Sequence, residues 1–207
     1  MIHTAAVILA AGLSRRMGNT DKLKLYIDGI PMYQHVIALV CESRLFSAVV
    51  VVTNQPDIAA FAHRHGARPV ENPNAAQGQG SSVAVGAYAL PENTDFCAFL
   101  TADQPFLTKK ILQTLVKTAQ ETGAIVVPRV QGIPKSPCIF PKRFFGQCKA
   151  LSGEKGGKGI YQQHLDEVVW MDFSDSKAWQ DIDTERDYNA MISGFLPEKH
   201  DAAHGIP

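Results

Sequence analysis

Short apolar runs alternate with segments of helical periodicity through about residue 130 of this 207-residue chain. The runs carry no charged residue, which is typical of strands buried on both faces of a parallel sheet. They lie at Ala5–Leu9, Ala48–Val52, Phe96–Leu100 and Ala124–Val127, with a shorter strand predicted at Arg68–Val70. Helices are predicted from Pro31, over Pro56–His65, over Ser81–Leu90 and over Lys109–Glu121. This order predicts a doubly wound, mostly parallel three-layer α/β/α sandwich.

The remaining third is less regular. Three prolines and a glycine interrupt residues 131–141, where we predict no strand, and a short helix at Phe144–Ala150 and a strand at Val168–Trp170 follow. Thr184 and Asp187 resemble a capping box that opens a last helix. We expect a single domain over residues 1–195 and a flexible tail over residues 196–207.

Charge and cysteine usage limit the partners. Twenty Lys and Arg residues balance twenty Asp and Glu residues, so the basic surface of a general nucleic-acid binder is not expected. The uncharged stretch Thr4–Leu13 is far shorter than the ~20 residues that span a membrane, so we expect no membrane partner. The four cysteines form no C-x-x-C pair, which is typical of reduced thiols in the cytoplasm.

The loop after the first strand has the composition of a polyphosphate site. It contains small residues, Arg15 and Arg16, and Lys22 follows shortly after. Small residues let backbone N–H groups approach phosphate oxygens, and cations neutralise their charge. The alternative is a tight turn with exposed charges. The chain has neither a Walker P-loop nor a G-x-G-x-x-G motif, which argues against P-loop ATPases and dehydrogenases.

A second loop, Leu100–Phe106, follows another apolar strand and places Asp103 where ligands of parallel sheets bind. A carboxylate there suits Mg²⁺ beside substrate phosphates. An isolated aspartate is more often a turn or cap residue. Beside the basic loop, we interpret Asp103 as a metal ligand.

These motifs together resemble one enzyme family. Leu9-Ala10-Ala11-Gly12-Leu13-Ser14-Arg15-Arg16-Met17-Gly18, then Lys22 and Gly29-Ile30-Pro31, is similar to the signature of molybdenum-cofactor-type (MobA-like) nucleotidyltransferases. Asn72-Pro73, Gly78-Gln79-Gly80-Ser81, Asp103-Gln104-Pro105, the segment 151–158 and Asp181-Ile182-Asp183-Thr184 resemble the molybdenum cofactor cytidylyltransferase branch most closely. The resemblance implies a Rossmann-like nucleotidyltransferase fold and transfer of CMP from CTP to molybdopterin, with release of pyrophosphate.

The resemblance also implies residue roles. Arg16 neutralises the β- and γ-phosphates, Lys22 lies against the α-phosphate, and Asp103 binds Mg²⁺ with Asp183 completing the metal site. Lys158 and Ser136 face the acceptor. The residues implied to hold the nucleotide are Leu9, Ala10, Ala11, Gly12, Ser14, Arg15, Arg16, Lys22, Gly80 and Ser81.

Three sequence features bear on the identity of the two substrates. Guanylyl-transferring relatives typically carry glycine at the position of Ala11, and its methyl group favours a pyrimidine. Lys135-Ser136-Pro137 replaces a usual Gly-His-Pro, and Glu154 replaces a usual aspartate, both on the acceptor side. The alternatives are GTP as the nucleotide, a sugar or polyol phosphate as the acceptor, or a nucleotide-binding protein without catalysis. We expect a monomer, with a molybdoenzyme or a cofactor-delivery protein as the possible protein partner.

Overall fold

The computed structural model describes residues 1–12, 21–174, 177–180 and 188–189. The strands are β1 (Thr4–Leu9), β2 (Tyr26–Ile27), β3 (Ile30–Pro31), β4 (Ala48–Val52), β5 (Arg68–Val70), β6 (Phe96–Thr101), β7 (Ile125–Val130), β8 (Ile133–Pro134), β9 (Cys138–Pro141) and β10 (Val168–Phe173). The helices are α1 (Met32–Glu42), α2 (Pro56–Arg64), α3 (Gln79–Tyr88), α4 (Lys109–Thr122), α5 (Phe145–Lys149) and α6 (Lys158–Tyr161).

One mixed sheet organises these elements. Its strands follow the order β10-β7-β9-β6-β1-β4-β5, and β8 pairs with β7 beside this path. β1 is parallel to both β4 and β6, and β10 is parallel to β7. The chain adds β4 and β5 on one side of β1 and β6 on the other, so the strand order reverses beside β1. The crevice at such a reversal is where open α/β sheets bind ligands.

Both faces of the sheet are covered, which confirms the three-layer architecture. Alternate residues of β1 point to opposite faces. Ile8 packs in a core with α1, α2 and α4, whereas Val7 packs in a second core with α3, α5 and α6. This double burial explains why β1 is an uninterrupted apolar run.

Local signals define the helix ends. The Thr108 side chain accepts a hydrogen bond from the Ile111 backbone N–H at 3.3 Å and so caps α4. Gly123 ends α4 in the left-handed region at φ 67°, where glycine pays no steric cost. The predicted helices are confirmed with boundary differences of a few residues, the largest being α3, which begins at Gln79 rather than Ser81.

The main departure from the sequence prediction is β9. We predicted no strand in residues 131–141, but β9 lies antiparallel between β6 and β7. It returns from β7 through the β8 hairpin, whose turn uses Gln131 and Gly132 at positive φ. The strand escaped prediction because prolines flank it and its burial depends on distant strands. No helix within the described ranges is long and apolar enough to cross a membrane. The predicted last helix from Thr184 and the tail lie mostly or wholly outside the described residues.

Candidate active site

The carboxyl ends of β1 and β6 lie side by side at the strand reversal. Leu9 is in register with Thr101, and the Ala102 N–H donates to the Leu9 carbonyl oxygen at 3.1 Å. The Ala10 N–H donates to the Val52 carbonyl at 2.8 Å, so this amide is already committed to β4. The loops that carry the predicted nucleotide and metal residues therefore start from one rigid edge.

An ion pair joins these two loops. The Lys22 Nζ donates to Asp103 Oδ2 at 2.7 Å, although the residues are 81 positions apart. Lys22 begins a short 3₁₀ helix, Lys22–Lys24. Asp21 caps this helix, because its Oδ1 accepts a hydrogen bond from the Leu23 N–H at 3.1 Å, and so positions the lysine. The side chains of Lys22 and Asp103 are only 10% and 23% exposed, so water screens the pair weakly.

The second oxygen of Asp103 has the character of a ligand atom. Asp103 Oδ1 is buried and has no hydrogen-bond partner within the described part of the chain. An unsatisfied buried carboxylate oxygen is costly unless something binds it. Hard divalent cations prefer such oxygens, so Asp103 fits a metal ligand. Residues 1–12, 21–174, 177–180 and 188–189 contain no group of three or more His, Cys, Asp or Glu side chains that could hold a metal ion.

A cavity of about 340 Å³ opens beside Asp103. Its lining contains three lysines, Lys135, Lys155 and Lys158, and Asp103 is the only acid among the lining residues. Apolar side chains, among them Val83, Phe99 and Phe140, form an apolar wall of the cavity. The full lining is Leu9, Gln79, Val83, Phe99, Thr101, Asp103, Gln104, Pro134, Lys135, Ser136, Cys138, Phe140, Lys155, Gly157, Lys158 and Tyr161. Three lysines beside an apolar wall suit an anionic substrate that also has an apolar portion.

Two titratable groups of the cavity wall, the Cys138 thiol and the Tyr161 phenol, stay neutral. Burial raises the pKa of the Cys138 thiol to about 12. Burial, with a smaller contribution from Cys138, raises the pKa of the Tyr161 phenol to about 12. Both groups remain protonated at neutral pH, so they add no charge to that of Asp103 and the three lysines among the described lining residues.

A glycine contact joins α3 to residues 152–158, which we name the acceptor loop because the resemblance noted in the sequence implies an acceptor contact at Lys158. The Gly80 N–H donates to the Gly153 carbonyl at 2.8 Å. A Cβ added at Gly80 would lie 2.7 Å from the Ser152 carbonyl oxygen, so no larger residue fits without displacement. Gln79 and Val83 on α3 face the same cavity as Lys155 and Lys158. The two segments therefore form one continuous side of the cavity.

The structure brings several predicted residues together. Leu9, Asp103, Ser136 and Lys158 line the cavity, and Lys22 contacts Asp103. Ser136 also donates to the Phe99 carbonyl at 3.4 Å. Ala10, Ala11 and Gly12 continue from the end of β1.

Other predicted residues lie elsewhere. Gly80 and Ser81 form the first turn of α3 and are not among the lining residues. The Ser81 Oγ lies 2.8 Å from the Gly78 carbonyl and 2.9 Å from the Asn74 carbonyl, so it is engaged within its own segment. Ser14, Arg15, Arg16 and Asp183 lie outside the described residues. Their roles, and those of Gly80 and Ser81 in nucleotide binding, stay predictions.

Sequence reasoning missed several cavity residues, including Gln79, Lys135 and Lys155. All three had a signal, because Gln79 lies in the motif Gly78-Gln79-Gly80-Ser81, Lys135 adjoins Ser136, and Lys155 lies in the recognised segment 151–158. The aromatic wall of Phe140 and Tyr161 had none, since its placement depends on β9 and α6.

A comparison with protein families decides the assignment. The model of the MobA-like NTP transferase domain matches residues 6–168. The chain belongs to this family. It is therefore a nucleotidyltransferase, and the predicted resemblance is confirmed at that level.

Individual relatives of this MobA-like chain agree. It is 28% identical over 179 residues to a molybdenum cofactor guanylyltransferase of Vibrio atlanticus, covering 84% of this chain and 87% of the relative. It is 25% identical over 192 residues to the same enzyme of Histophilus somni, covering 88% and 93%. The crystal structure of Rv0371c from Mycobacterium tuberculosis superposes with a TM-score of 0.77 at 22% identity, covering 93% of this chain and 98% of that one, which confirms the fold.

Proposed function

We propose that this MobA-like enzyme transfers a nucleoside monophosphate from a nucleoside triphosphate to the phosphate monoester of a molybdopterin-type acceptor. The carrying observation is the Lys22–Asp103 pair beside a lysine-lined cavity, in which the buried Oδ1 of the aspartate has no hydrogen-bond partner within the described residues. In the reaction, an acceptor phosphate oxygen forms a bond to the α-phosphorus. The bond from that phosphorus to the oxygen bridging the β-phosphorus breaks, and pyrophosphate leaves.

The residues contribute charge and position. Lys22, whose ammonium group lies 2.7 Å from Asp103 Oδ2, is predicted to lie against the α-phosphate, and Arg16 is predicted to hold the β- and γ-phosphates. A divalent cation at Asp103 and Asp183, Mg²⁺ in our prediction, supplies neutralisation of phosphate charge. Lys158, Lys155 and Ser136 orient the acceptor. The acceptor phosphate is already an anionic nucleophile, so positioning and electrostatics suffice without a general base.

For the nucleotide, we propose GTP first. The supporting observation is that the relatives in Vibrio atlanticus and Histophilus somni are guanylyltransferases and align along most of their length. CTP, which the resemblance noted in the sequence implies, is a second candidate because of Ala11. This residue is only 7% exposed and packs in the core beside Val7, directly before the segment predicted to hold the nucleotide.

A pyrophosphate-release screen tests this function. The purified enzyme is incubated with each of the four NTPs, with Mg²⁺ or Mn²⁺, and with molybdopterin, a sugar phosphate or a polyol phosphate. Pyrophosphate release that needs both GTP and molybdopterin is the expected result, with a preference over CTP of at least ~10-fold in kcat/KM. Preference for CTP returns the enzyme to the cytidylyl branch. Nucleotide binding without release under every condition supports the non-catalytic alternative.

The variant Ala11→Gly sharpens the nucleotide assignment. If the methyl group restricts the base pocket, the ratio of kcat/KM for GTP to that for CTP rises in this variant, because a methyl-sized contact discriminates ~10-fold or more. An unchanged ratio removes Ala11 as the argument for CTP.

A further inference from the structure

The side chain of Asn72 makes a complete set of hydrogen bonds at the end of β5. It is fully buried, and its Nδ2 donates to the hydroxyls of Ser81 and Ser82, both at 2.9 Å. Its Oδ1 accepts from the Asn74 N–H at 2.9 Å. Two donors and one acceptor are thus satisfied, which is how a buried amide is tolerated. Asn72 therefore ties the segment after β5 to the first turn of α3.

The backbone of Asn72 is held just as firmly. Asn54, two residues beyond β4, accepts from the Asn72 N–H at 2.8 Å and donates its Nδ2 to the Asn72 carbonyl at 2.8 Å. Asn72 is therefore fixed relative to two strands of the parallel sheet. Its side chain transmits that position to α3.

From the first turn of α3 the chain of contacts reaches the cavity. Gly80 donates to Gly153 in the acceptor loop at 2.8 Å, and neither Gly78 nor Gly80 has space for a Cβ against that loop. Gln79 also packs against the acceptor loop, because a Cβ on Gly156 would lie 2.7 Å from its Oε1. Backbone contacts this close do not allow one segment to shift without the other.

We infer that Asn72, which is not among the cavity-lining residues, is a positioning residue for the acceptor side of the cavity. It sets the place of the first turn of α3, and through Gly80 and Gly153 the place of Lys155 and Lys158. This inference rests on the proposed function, which assigns the acceptor to that side. Misplacement of a reacting group by about 1 Å can cost ~100-fold in rate, so a buried amide far from the phosphates can control turnover.

The test compares Asn72→Ala and Ser82→Ala with Leu115→Ala. Ser82→Ala removes one of the two Nδ2 bonds, and Leu115 is a buried residue of α4 in the core on the opposite face of the sheet. Leu115→Ala lowers the Tm without touching Asn72, so it controls for general destabilisation. All assays are run well below the Tm of each variant.

We expect Asn72→Ala to lower kcat/KM for the acceptor at least ~10-fold, and Ser82→Ala to lower it ~3-fold, by analogy with other remote misplacements. Leu115→Ala changes it less than twofold. If Asn72→Ala and Ser82→Ala keep the wild-type kcat and acceptor KM while their Tm falls like that of Leu115→Ala, Asn72 is only structural and the inference is overturned.

Amide hydrogen exchange tests the same inference without turnover. In both variants, exchange should rise together at Gly80 and across residues 153–157, while α4 stays protected. Increased exchange confined to residues 72–82 overturns the inference, as does a change confined to α4 or no change. If Asn72→Ala fails to fold, the milder Ser82→Ala decides by the same criterion. A wild-type enzyme that releases no pyrophosphate contradicts the proposed function instead, and the exchange result still decides the role of Asn72.

Discussion

The side of the site formed by β1, β4 and β5 is built from parallel strands, whereas the side beyond β6 is built from antiparallel strand β9, the β7–β8 hairpin and the acceptor loop. On the first side, strand ends project loops in one direction. On the second, glycines at positive φ, such as Gly153 and Gly156, shape the backbone that carries the cavity lysines. The first side is therefore suited to a chemical group that all substrates share, and the second side to a substrate whose size and shape vary.

This contrast matches the division of substrates in the proposed reaction. Every nucleoside triphosphate presents the same phosphates, so a rigid edge with a positioned cation such as Lys22 serves all of them. Acceptors differ in body and size, and loop variation on a stable scaffold is how proteins adapt to such differences. The Lys22–Asp103 ion pair lies between the two sides, because it joins the segment that follows β1 to the loop that follows β6.

Asp103→Asn is expected to have the largest effect because it affects both sides at once. The substitution keeps the shape but removes the charge that binds a cation at Oδ1 and pairs with Lys22. We expect kcat to fall at least ~100-fold, the scale for losing one electrostatic stabiliser of a transition state. Steady-state pyrophosphate release gives the rate, and circular dichroism checks folding. Activity near the wild-type level at low millimolar Mg²⁺ would show that Asp103 is not the principal metal ligand.

Lys22→Met tests whether Asp103 binds a metal ion even without nucleotide. The ammonium group lies 2.7 Å from Asp103 Oδ2 and repels a cation at Oδ1, whereas methionine retains much of the apolar stem. We expect Mn²⁺ alone to bind ~10-fold more tightly to the variant, and kcat with nucleotide to fall by a comparable factor. Electron paramagnetic resonance measures free Mn²⁺ directly.

Lys24→Met is the matched control for that measurement. Lys24 lies on the same 3₁₀ helix, but its ammonium pairs with Asp57 at 2.7 Å, and both side chains are about half exposed. The Mn²⁺ affinity of this variant should equal that of the wild type. Equal affinity of Lys22→Met and wild type would show that the lysine does not oppose the cation at Asp103.

Lys158→Ala and Lys155→Ala separate the two sides. Both lysines line the cavity on the acceptor loop, so each variant should raise the acceptor KM by ~5- to 10-fold, as expected for one charge-assisted contact, and leave nucleotide affinity within twofold. Lys149→Ala is the control, since this lysine stacks over Tyr88 outside the cavity. An increase in nucleotide KM as large as that in acceptor KM would remove the distinction between the sides.

The parallel side could be predicted from the sequence because its signals are local. β1 and β6 are apolar runs, and α4 has both its cap at Thr108 and its stop at Gly123 within the segment itself. β9 could not be predicted in the same way. Its residues Ile139 and Phe140 are buried by strands and helices distant in sequence. Local composition, with prolines at 137 and 141, indicates a loop.

The same distinction between local signals and long-range contacts applies to the site. Asp103 could be identified because it directly follows an apolar strand, and the order of the motifs indicated the family. The contact of Lys22 with Asp103 spans 81 positions and depends on the fold. Lys155 lies in the segment 151–158 that resembles the family, but its place in the cavity lining could not be predicted, because the loop that brings it there is positioned by backbone contacts with α3.

The smallest expected effect concerns Cys138, whose thiol faces the cavity from β9. Only the thiolate is nucleophilic, and burial raises the pKa of this thiol to about 12, against ~8.5 for a free cysteine. At pH 7.5 iodoacetamide should modify Cys138 roughly a thousandfold more slowly than a free cysteine and leave activity intact. Because the thiolate fraction grows with pH below the pKa, the rate should rise about tenfold per pH unit, without a plateau near pH 9. Mass spectrometry of peptides follows each thiol, with urea-unfolded protein, in which all four cysteines react, as the control. Rapid alkylation of Cys138 that levels off near pH 9 would instead mean that this thiol has an ordinary pKa and that the cavity wall on β9 is not neutral.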